Sequence, residues 1–252
     1  YQSVCTKEQW IGVLEFCKAI GAKLLVSVNN CEGLHKANEP WNPSQAELLF
    51  GLSKEYGVPI EAAEFMNEPN MLAFSGAPVG YTAKDYVRDQ DLFFKWIREN
   101  YPECQLAGPC TVAMEAAGDI TGTQQGGGIV SMMGDSCTTF ELMEGTKEPL
   151  DIFSYHYYNG ISDRLASTMP SMHWHPDTTL SEAYLSVALK CCESVIPARD
   201  RYCPNGEMWV TESGDAGGGG DTLASTFMDV FRTLNELGGF SKLTNGIIFH
   251  NT

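Results

Sequence analysis

The feature that most constrains the fold is a regular alternation of short apolar runs with helical stretches. Apolar runs of strand length begin near positions 24, 60, 105, 152, 208 and 246. Each interval has room for a strand, a loop, a helix and a return, which predicts βα units around a parallel sheet. Six strands are too few for a closed (β/α)₈ barrel but enough for most of one. An open doubly wound sheet is the alternative, although no Gly-x-Gly-x-x-Gly stretch follows an early strand.

Hydrophobic periodicity and terminal signals set the expected bounds of each element. The predicted strands cover 24–28, 60–66, 105–107, 152–157, 208–211 and 246–249. The predicted helices cover 6–20, 42–56, 83–100, 177–195 and 222–237.

Composition limits the partners that such a chain can bind. The 252 residues, 43% of them hydrophobic, suffice for one large domain with a substantial core. Sixteen basic residues against 32 acidic ones give a formal charge of −16, so the chain should repel nucleic acid and anionic membrane surfaces. No apolar run approaches the roughly 20 residues of a membrane span.

Cysteine usage bears on the compartment and on metal binding. The nine cysteines include no Cys-x-x-Cys pair, which argues against a zinc ribbon or a thioredoxin-like site. Their number suits an oxidising compartment, and we therefore expect a secreted, periplasmic or lysosomal protein. The histidines of His173-Trp174-His175 have loose spacing and no acidic or thiol partner placed beside them, so no metal and no cofactor are expected.

Polar residues cluster where the predicted strands end. Asn29, Asn67-Glu68, His156-Tyr157 and Glu212 all follow apolar runs. The carboxyl ends of the strands of a (β/α)₈ barrel converge on one face, and that face holds the active site. Glu68 and Glu212, on strands three units apart, should therefore face each other across the mouth of the barrel.

Two facing carboxyl groups are what cleavage of a glycosidic bond requires. One gives a proton to the leaving oxygen, and the other attacks the anomeric carbon. Asn67 is placed to bind a sugar hydroxyl, and Tyr157 to orient the nucleophile by a hydrogen bond. A glutamate after a strand is often only a first-turn helix acid or an ion-pair partner. Two of them at corresponding strand ends favour catalysis.

Other polar and aromatic residues have two interpretations each. His156 is as well explained by a core histidine as by a ligand contact. The glycines of 217–220 lack the Gly-Lys-Ser/Thr of a phosphate loop. They form either a flexible loop or a run of exposed backbone N–H groups that binds an anion. Aromatic side chains that could stack on sugar rings are Tyr155, Tyr157, Tyr158 and Trp174.

Several stretches together resemble glycoside hydrolase family 79, the heparanase-like β-glucuronidases. The likeness runs through LLVSVN (24–29), WNPSQAELLFGLSKEYG (41–57), EFMNEPN (64–70), AGP (107–109), DIFSYHYYNG (151–160) and WVTESGDAGGGGDTLASTF (209–227). The last stretch is the most specific, because it combines a strand, a glutamate, a glycine run and the start of a helix. Asn-Glu-Pro alone is shared by many retaining barrel glycosidases.

The resemblance implies a (β/α)₈ barrel and hydrolysis with retention of configuration. Glu68 would be the acid/base and Glu212 the nucleophile. Tyr157 would match the tyrosine of the family's His-Tyr-Tyr stretch. Gly218 and Gly219 would hold the substrate's carboxylate through their backbone. Apart from the resemblance, the positions of Asn29, Asn67 and His156 at strand ends predict that they contact the substrate.

The chain also departs from that family. Residues 1–252 would form the catalytic barrel domain as a fragment covering about strands 3 to 8, without the first two strands and the C-terminal β-sandwich. The acidic balance differs from relatives that cut heparan sulfate, which favours a lightly charged glucuronide as the carbohydrate partner. The alternatives are a β-xylosidase or β-glucosidase type of retaining barrel, and a catalytically silent carbohydrate-binding barrel.

Overall fold

The structure, a computed structural model, describes residues 4–113, 137–167 and 173–249. Its strands are β1 Leu24–Val28, β2 Ile60–Phe65, β3 Gln105–Val112, β4 Ile152–Ile161, β5 Glu207–Gly217 and β6 Gly246–Phe249. Its helices are α1 Lys7–Ile20, α2 Ser44–Glu55, α3 Ala83–Asn100, α4 Thr139–Met143, α5 Pro176–Thr179, α6 Glu182–Tyr202 and α7 Phe227–Phe240. A 3₁₀ turn, Pro69–Met71, follows β2.

The six strands form one parallel sheet in chain order, β1 to β6. Helices connect successive strands, and the sheet curls into a half-barrel, which confirms the predicted partial (β/α)₈ barrel. Within the described residues β1 and β6 each have one strand neighbour. The carboxyl ends of all six strands therefore open on the same side of the sheet.

The main core lies between the outer face of the sheet and the helices. Trp41 packs edge-on against Phe65 of β2 and Phe93 of α3, with ring centroids 6.0 and 5.5 Å apart. Phe93 and Phe65 are almost fully buried, and burial of each such ring contributes about 2–3 kcal/mol. These contacts fix the outward-facing side of β2, which leaves the alternate residue Glu64 facing the inside of the barrel.

Two irregularities re-aim side chains near the carboxyl ends of the strands. Cys110 is an extra residue in β3, because Pro109 pairs with Ser154 of β4 while Thr111 pairs with the next residue. Thr211 is an extra residue in β5, because Val210 pairs with Tyr155 and Glu212 pairs with His156. Such bulges shift the following residues to the opposite face of the sheet.

The predicted bounds are accurate for the shorter strands and too short for β3, β4 and β5. β4 was expected to end at Tyr157 but runs to Ile161, because its polar second half pairs with Ser213–Gly217 of β5. The long helix expected over 177–195 is two helices, and α6 continues through Pro197 to Tyr202. The helix expected from 222 begins at Phe227 after the N-cap Thr226.

Two general findings concern the described residues. No helix among them combines the length and apolar character that crossing a bilayer requires. All nine cysteines lie within the described residues, and no disulfide joins any two of them.

Candidate active site

The turn after β2 holds Glu68 in an unusual backbone conformation. Glu68 has φ 47° and ψ 55°, and Met66 has φ 61°. A non-glycine residue in this left-handed region costs about 1–2 kcal/mol, so its surroundings must hold it there. The Glu68 carbonyl accepts hydrogen bonds from the Met71 N–H at 3.0 Å and the Ser75 hydroxyl at 2.8 Å.

Asn70, the second asparagine of EFMNEPN (64–70), anchors the turn to a neighbouring strand. Its Nδ2 donates to the Val112 carbonyl at 3.1 Å, and its Oδ1 accepts from the Val112 N–H at 3.2 Å. Asn70 is buried, so this pair of bonds ties the turn firmly to the end of β3. The sequence reasoning did not assign Asn70 a role.

Glu212 faces the inside of the barrel because of the bulge at Thr211. Val210 lies in the core against the helices, and without the extra residue Glu212 would point to the same side. The adjacent Ser213 points outward and donates to Glu236 of α7 at 3.0 Å. The strand therefore presents the carboxylate to the barrel while its other face is anchored to a helix.

His156 of β4 lies between the two glutamates. Its Nδ1 is 3.0 Å from Glu68 Oε1 and 3.6 Å from Glu212 Oε2. A carboxylate oxygen of Glu68, one of Glu212 and a ring nitrogen of His156 all lie within 4.8 Å of one another. The glutamate side chains are 14% and 27% exposed, so both remain open to a ligand while the imidazole is buried. The structure thus brings together three of the residues predicted for the site.

The charge around His156 favours its protonated form. Burial lowers the pKa of the imidazole, but the hydrogen bond with Glu68 and the negative charges of Glu64, Glu68 and Glu212 outweigh it. The net effect is a raised pKa for His156. An imidazolium here donates from Nδ1 to Glu68 and attracts the carboxylate of Glu212.

Tyr158, not Tyr157, contacts the candidate nucleophile. The Tyr158 hydroxyl donates a hydrogen bond to Glu212 Oε1, and burial followed by that bond raises the pKa of Tyr158. Tyr157 points to the helix side, where its hydroxyl accepts from Asn159 at 3.1 Å and its ring packs on Phe240. The expectation that Tyr157 orients Glu212 was wrong, because residues on one face of a strand alternate and Tyr158 shares the face of His156.

The remaining predicted contact residues lie outside this triad. Asn29 is exposed and donates to Gln45 of α2 at 2.6 Å. Asn67 is exposed next to Glu68, and no side-chain hydrogen bond joins it to another described residue. Trp174, proposed for ring stacking, is fully buried, and its Nε1 donates to Asn159 at 3.0 Å.

The glycine run adopts a conformation that other residues disfavour. Gly218, Gly219 and Gly220 have φ of 95°, 66° and 74°. A Cβ added at Gly218 would come within 2.7 Å of Leu165 Cδ1 and 3.2 Å of Ser162 Oγ. The backbone therefore packs closely against the loop after β4, as only glycine allows.

Hydrogen bonds join the loop after β4 to the residues that directly follow the glycine run. Asp163 accepts from the Thr222 hydroxyl at 2.8 Å and pairs with His173 at 2.7 Å, and its N–H donates to Asp221 at 3.2 Å. The hydrogen bond from the Thr222 side chain is the largest cause of the lowered pKa of Asp163, and the hydrogen bond with His173 is the next. His173 thus has an acidic partner, Asp163, which the sequence did not predict.

Donor atoms near enough to one another to hold a metal ion occur in three groups of described residues. They are Glu64, Cys110 and His156; Glu68, His156 and Glu212; and Asp163, His173 and Asp221. In the second and third groups, hydrogen bonds between the members account for the arrangement. Burial first, and then Glu64, raises the pKa of the Cys110 thiol, which disfavours the thiolate that a metal would bind.

The sequence of the chain matches no known protein-family model and no curated protein. Its structure does match solved structures. A family 44 endoglucanase from Clostridium thermocellum gives a TM-score of 0.57 at 13% identity, over 95% of this chain and 60% of that one. A monomeric β-xylosidase from Caulobacter crescentus gives 0.52 at 10% identity, over 97% of this chain and 56% of that one.

A third match is a 4-O-α-L-rhamnosyl-β-D-glucuronidase from Fusarium oxysporum, with a TM-score of 0.53 at 13% identity, over 95% of this chain and 46% of that one. The chain thus spans about 60% or less of the length of these structures. At such identities the matches show the fold. The chain has the fold of part of a (β/α)₈ barrel, like the barrels of these glycoside hydrolases.

Proposed function

We propose that the protein is a retaining glycoside hydrolase in which Glu68 is the acid/base and Glu212 the nucleophile. The observation that carries this proposal is the approach of the two carboxylates, since one oxygen of Glu68 lies within 4.8 Å of one oxygen of Glu212. Retaining enzymes hold their carboxyl groups about 5–5.5 Å apart, whereas inverting enzymes need about 6.5–9.5 Å to fit a water molecule. The close pair therefore favours retention.

The first chemical step assigns a task to each residue around the pair. Glu212 attacks the anomeric carbon, and Glu68 gives its proton to the leaving oxygen. The Tyr158 hydroxyl holds one oxygen of Glu212 and leaves the other to attack. As Glu68 loses its proton it becomes a carboxylate, and the His156 imidazolium 3.0 Å away stabilises that charge.

The second step hydrolyses the glycosyl-enzyme. Glu68, now ionised, takes a proton from water, and the resulting hydroxide displaces Glu212 from the anomeric carbon. Two inversions give net retention. The reaction needs only the two carboxyl groups and water.

We further propose a β-glucuronide as the substrate, in line with the resemblance to family 79. Three successive positive φ angles turn the backbone N–H groups of the glycine run away from a regular strand, and such a backbone binds carboxylates. The exposed Arg164 lies beside it, with its Cδ 3.4 Å from where a Cβ at Gly220 would be. Arg164 has no ion-pair partner among the described residues, so its charge is available to a carboxylate.

A neutral β-glycoside is the second candidate substrate. It is favoured by the acidic groups around the glycine run, Asp163, Asp215 and Asp221, which would repel a glucuronate, and by the overall charge of −16. An endoglucanase and a β-xylosidase also share the fold. The balance between Arg164 and these acids decides between the two substrates.

Hydrolysis of matched chromogenic substrates by the full-length protein tests the proposal. We expect cleavage of the β-glucuronide, little cleavage of the β-glucoside and β-xyloside, and loss of at least about a thousandfold in kcat in Glu68→Gln and Glu212→Gln. Cleavage of the neutral glycosides instead would refute the β-glucuronide as the substrate and would leave the mechanism with two glutamates in place. A folded protein that binds sugar without cleaving any of the three would support the silent carbohydrate-binding barrel.

A further inference from the structure

Glu64 is a buried carboxylate that the reaction above does not use. It lies on β2, four residues before Glu68 in the sequence, and is 1% exposed. The flanking Ala63 and Phe65 pack in the core under the helices, so Glu64 points into the barrel beneath the two catalytic glutamates. An apolar side chain would fill the same position without the cost of burying a charge.

Hydrogen bonding engages one of the two carboxylate oxygens of Glu64. Ser27 on β1 donates to Oε2 at 2.9 Å, and Oε1 has no hydrogen-bond partner among the described residues. The nearby Cys110 thiol donates elsewhere, to the Met66 carbonyl at 3.1 Å, and leaves Oε1 without a donor in the described part of the chain. A carboxylate buried in this way is stabilised by a nearby positive group.

His156 is the group that can balance it. A ring nitrogen of His156, the Cys110 thiol and a Glu64 oxygen lie within 4.8 Å of one another. The ionisable groups that face His156 are Glu64 from β2, Glu68 from the turn after it, Cys110 from β3 and Glu212 from β5. Glu64 differs from the other two carboxylates because it neither exchanges a proton nor bonds to the sugar during the reaction.

We propose that Glu64 is a positioning residue that keeps His156 protonated throughout the catalytic cycle. The inference rests on the proposed function. Glu68 alternates between acid and carboxylate, and Glu212 between carboxylate and ester, so the charge that these two provide to His156 changes at every step. Glu64 supplies a constant negative charge. The imidazolium is thereby present when Glu68 ionises and needs stabilisation.

The supporting electrostatics have a clear sign. A negative neighbour within about 4–6 Å raises the pKa of a histidine, typically by 1–3 units, and the charge of Glu64 contributes to the raised pKa of His156. Removing that charge makes the imidazole lose its proton at lower pH. The alkaline limb of the pH–rate profile should then move to lower pH as well.

The experiment compares Glu64→Gln with wild type and with Glu61→Gln in the full-length protein. Glutamine keeps the shape of Glu64 and still accepts the Ser27 hydrogen bond. Glu61 is the matched control, on the same strand but 39% exposed and paired with Lys23 at the surface. The pH dependence of kcat/KM is measured with an alkyl glycoside, whose poor leaving group requires the proton of Glu68.

We expect the alkaline limb of Glu64→Gln to shift by about one pH unit or more to lower pH, with about a tenfold loss of kcat/KM at pH 8 and little loss at pH 5. Glu61→Gln should keep the wild-type profile. A Glu64→Gln profile that is uniformly lower at every pH, or unchanged, overturns the proposal, because a merely structural role would not move the limb.

An NMR titration of the His156 imidazole, assigned through its loss in His156→Gln, tests the same coupling without catalysis. We expect a pKa above the ordinary 6.5 in wild type and a fall of about one unit in Glu64→Gln. If wild type cleaves no glycoside, the proposed function fails, and this titration alone decides the claim for Glu64. If Glu64→Gln does not fold, a wild-type His156 with a pKa at or below 6.5 refutes it.

Discussion

Replacing Tyr158 by phenylalanine removes one hydroxyl from the candidate site and leaves the ring in place. That hydroxyl donates a hydrogen bond to Glu212 Oε1. A hydrogen bond to a charged group contributes about 1.5–3 kcal/mol. If its role is to hold the nucleophile in the attacking geometry, the same free energy is added to the barrier, which corresponds to a roughly 10- to 150-fold loss of kcat.

Tyr157→Phe is the matched control, because it removes the neighbouring hydroxyl from the other face of β4. Tyr157 is buried, and its hydroxyl accepts from Asn159 Nδ2 at 3.1 Å. Its loss leaves a buried amide donor unsatisfied and destabilises the fold by about 1–3 kcal/mol. For a chain of this size that is a fall in Tm of about 2–12 °C, with kcat unchanged within about threefold.

The assay is steady-state hydrolysis of an aryl glycoside at 25 °C, together with the melting temperature of each variant. The contrast between the variants carries the information, since one should lose rate and the other stability. The assignment of Tyr158 is refuted if Tyr157→Phe loses the rate and Tyr158→Phe keeps it.

Two further predictions concern the glycine run and the charge on His156. Gly218→Ala must place a Cβ 2.7 Å from Leu165 Cδ1 at a φ of 95°, so KM for the glucuronide should rise at least about fivefold while the glucoside is unaffected; equal effects on both would contradict a carboxylate pocket. Because the pKa of folded His156 is raised, its stabilisation is complete below the unfolded pKa of about 6.5 and is lost as the pH rises through the folded value. Denaturation at pH 6 and 9 should show this loss in wild type but not in His156→Gln, and an equal loss in both would contradict it.

Strand order and the pair of glutamates could be predicted from the sequence because both depend on local patterns. β1 and β6 match their expected bounds, and α3 does as well, since apolar runs and terminal signals mark them clearly. β4 and β5 extend beyond their apolar runs because their polar residues line the inside of the barrel while still pairing along the sheet. The predicted strands stopped at the polar residues, although the backbone pairing continues beyond them.

The choice between Tyr157 and Tyr158 shows what the sequence could and could not provide. Alternation along β4 puts Tyr158 on the face of His156, and that signal was available. The side of the sheet on which Glu212 lies could not be read from alternation, because Val210 and Glu212 are two residues apart and would share a face in a regular strand. Only the extra residue Thr211 separates them, and nothing local in the sequence marks it as a bulge.

Glu64 and Asn70 were missed for a different reason. Glu64 lies within an apparently apolar run, and its neighbours His156 and Cys110 are on other strands. Asn70 bonds to Val112, 42 residues away in the sequence. Such contacts arise only when strands are placed side by side.

The central claim, nucleophilic catalysis by Glu212 with Glu68 as acid/base, is tested most directly by azide rescue of Glu212→Ala. The variant should be almost inactive on an activated aryl glycoside, and azide should restore turnover by attacking the anomeric carbon in the vacated space, giving a glycosyl azide of inverted configuration. Proton NMR of the product gives that configuration. Near-native activity of Glu212→Ala without azide, or no rescue by it in a folded variant, would contradict the account.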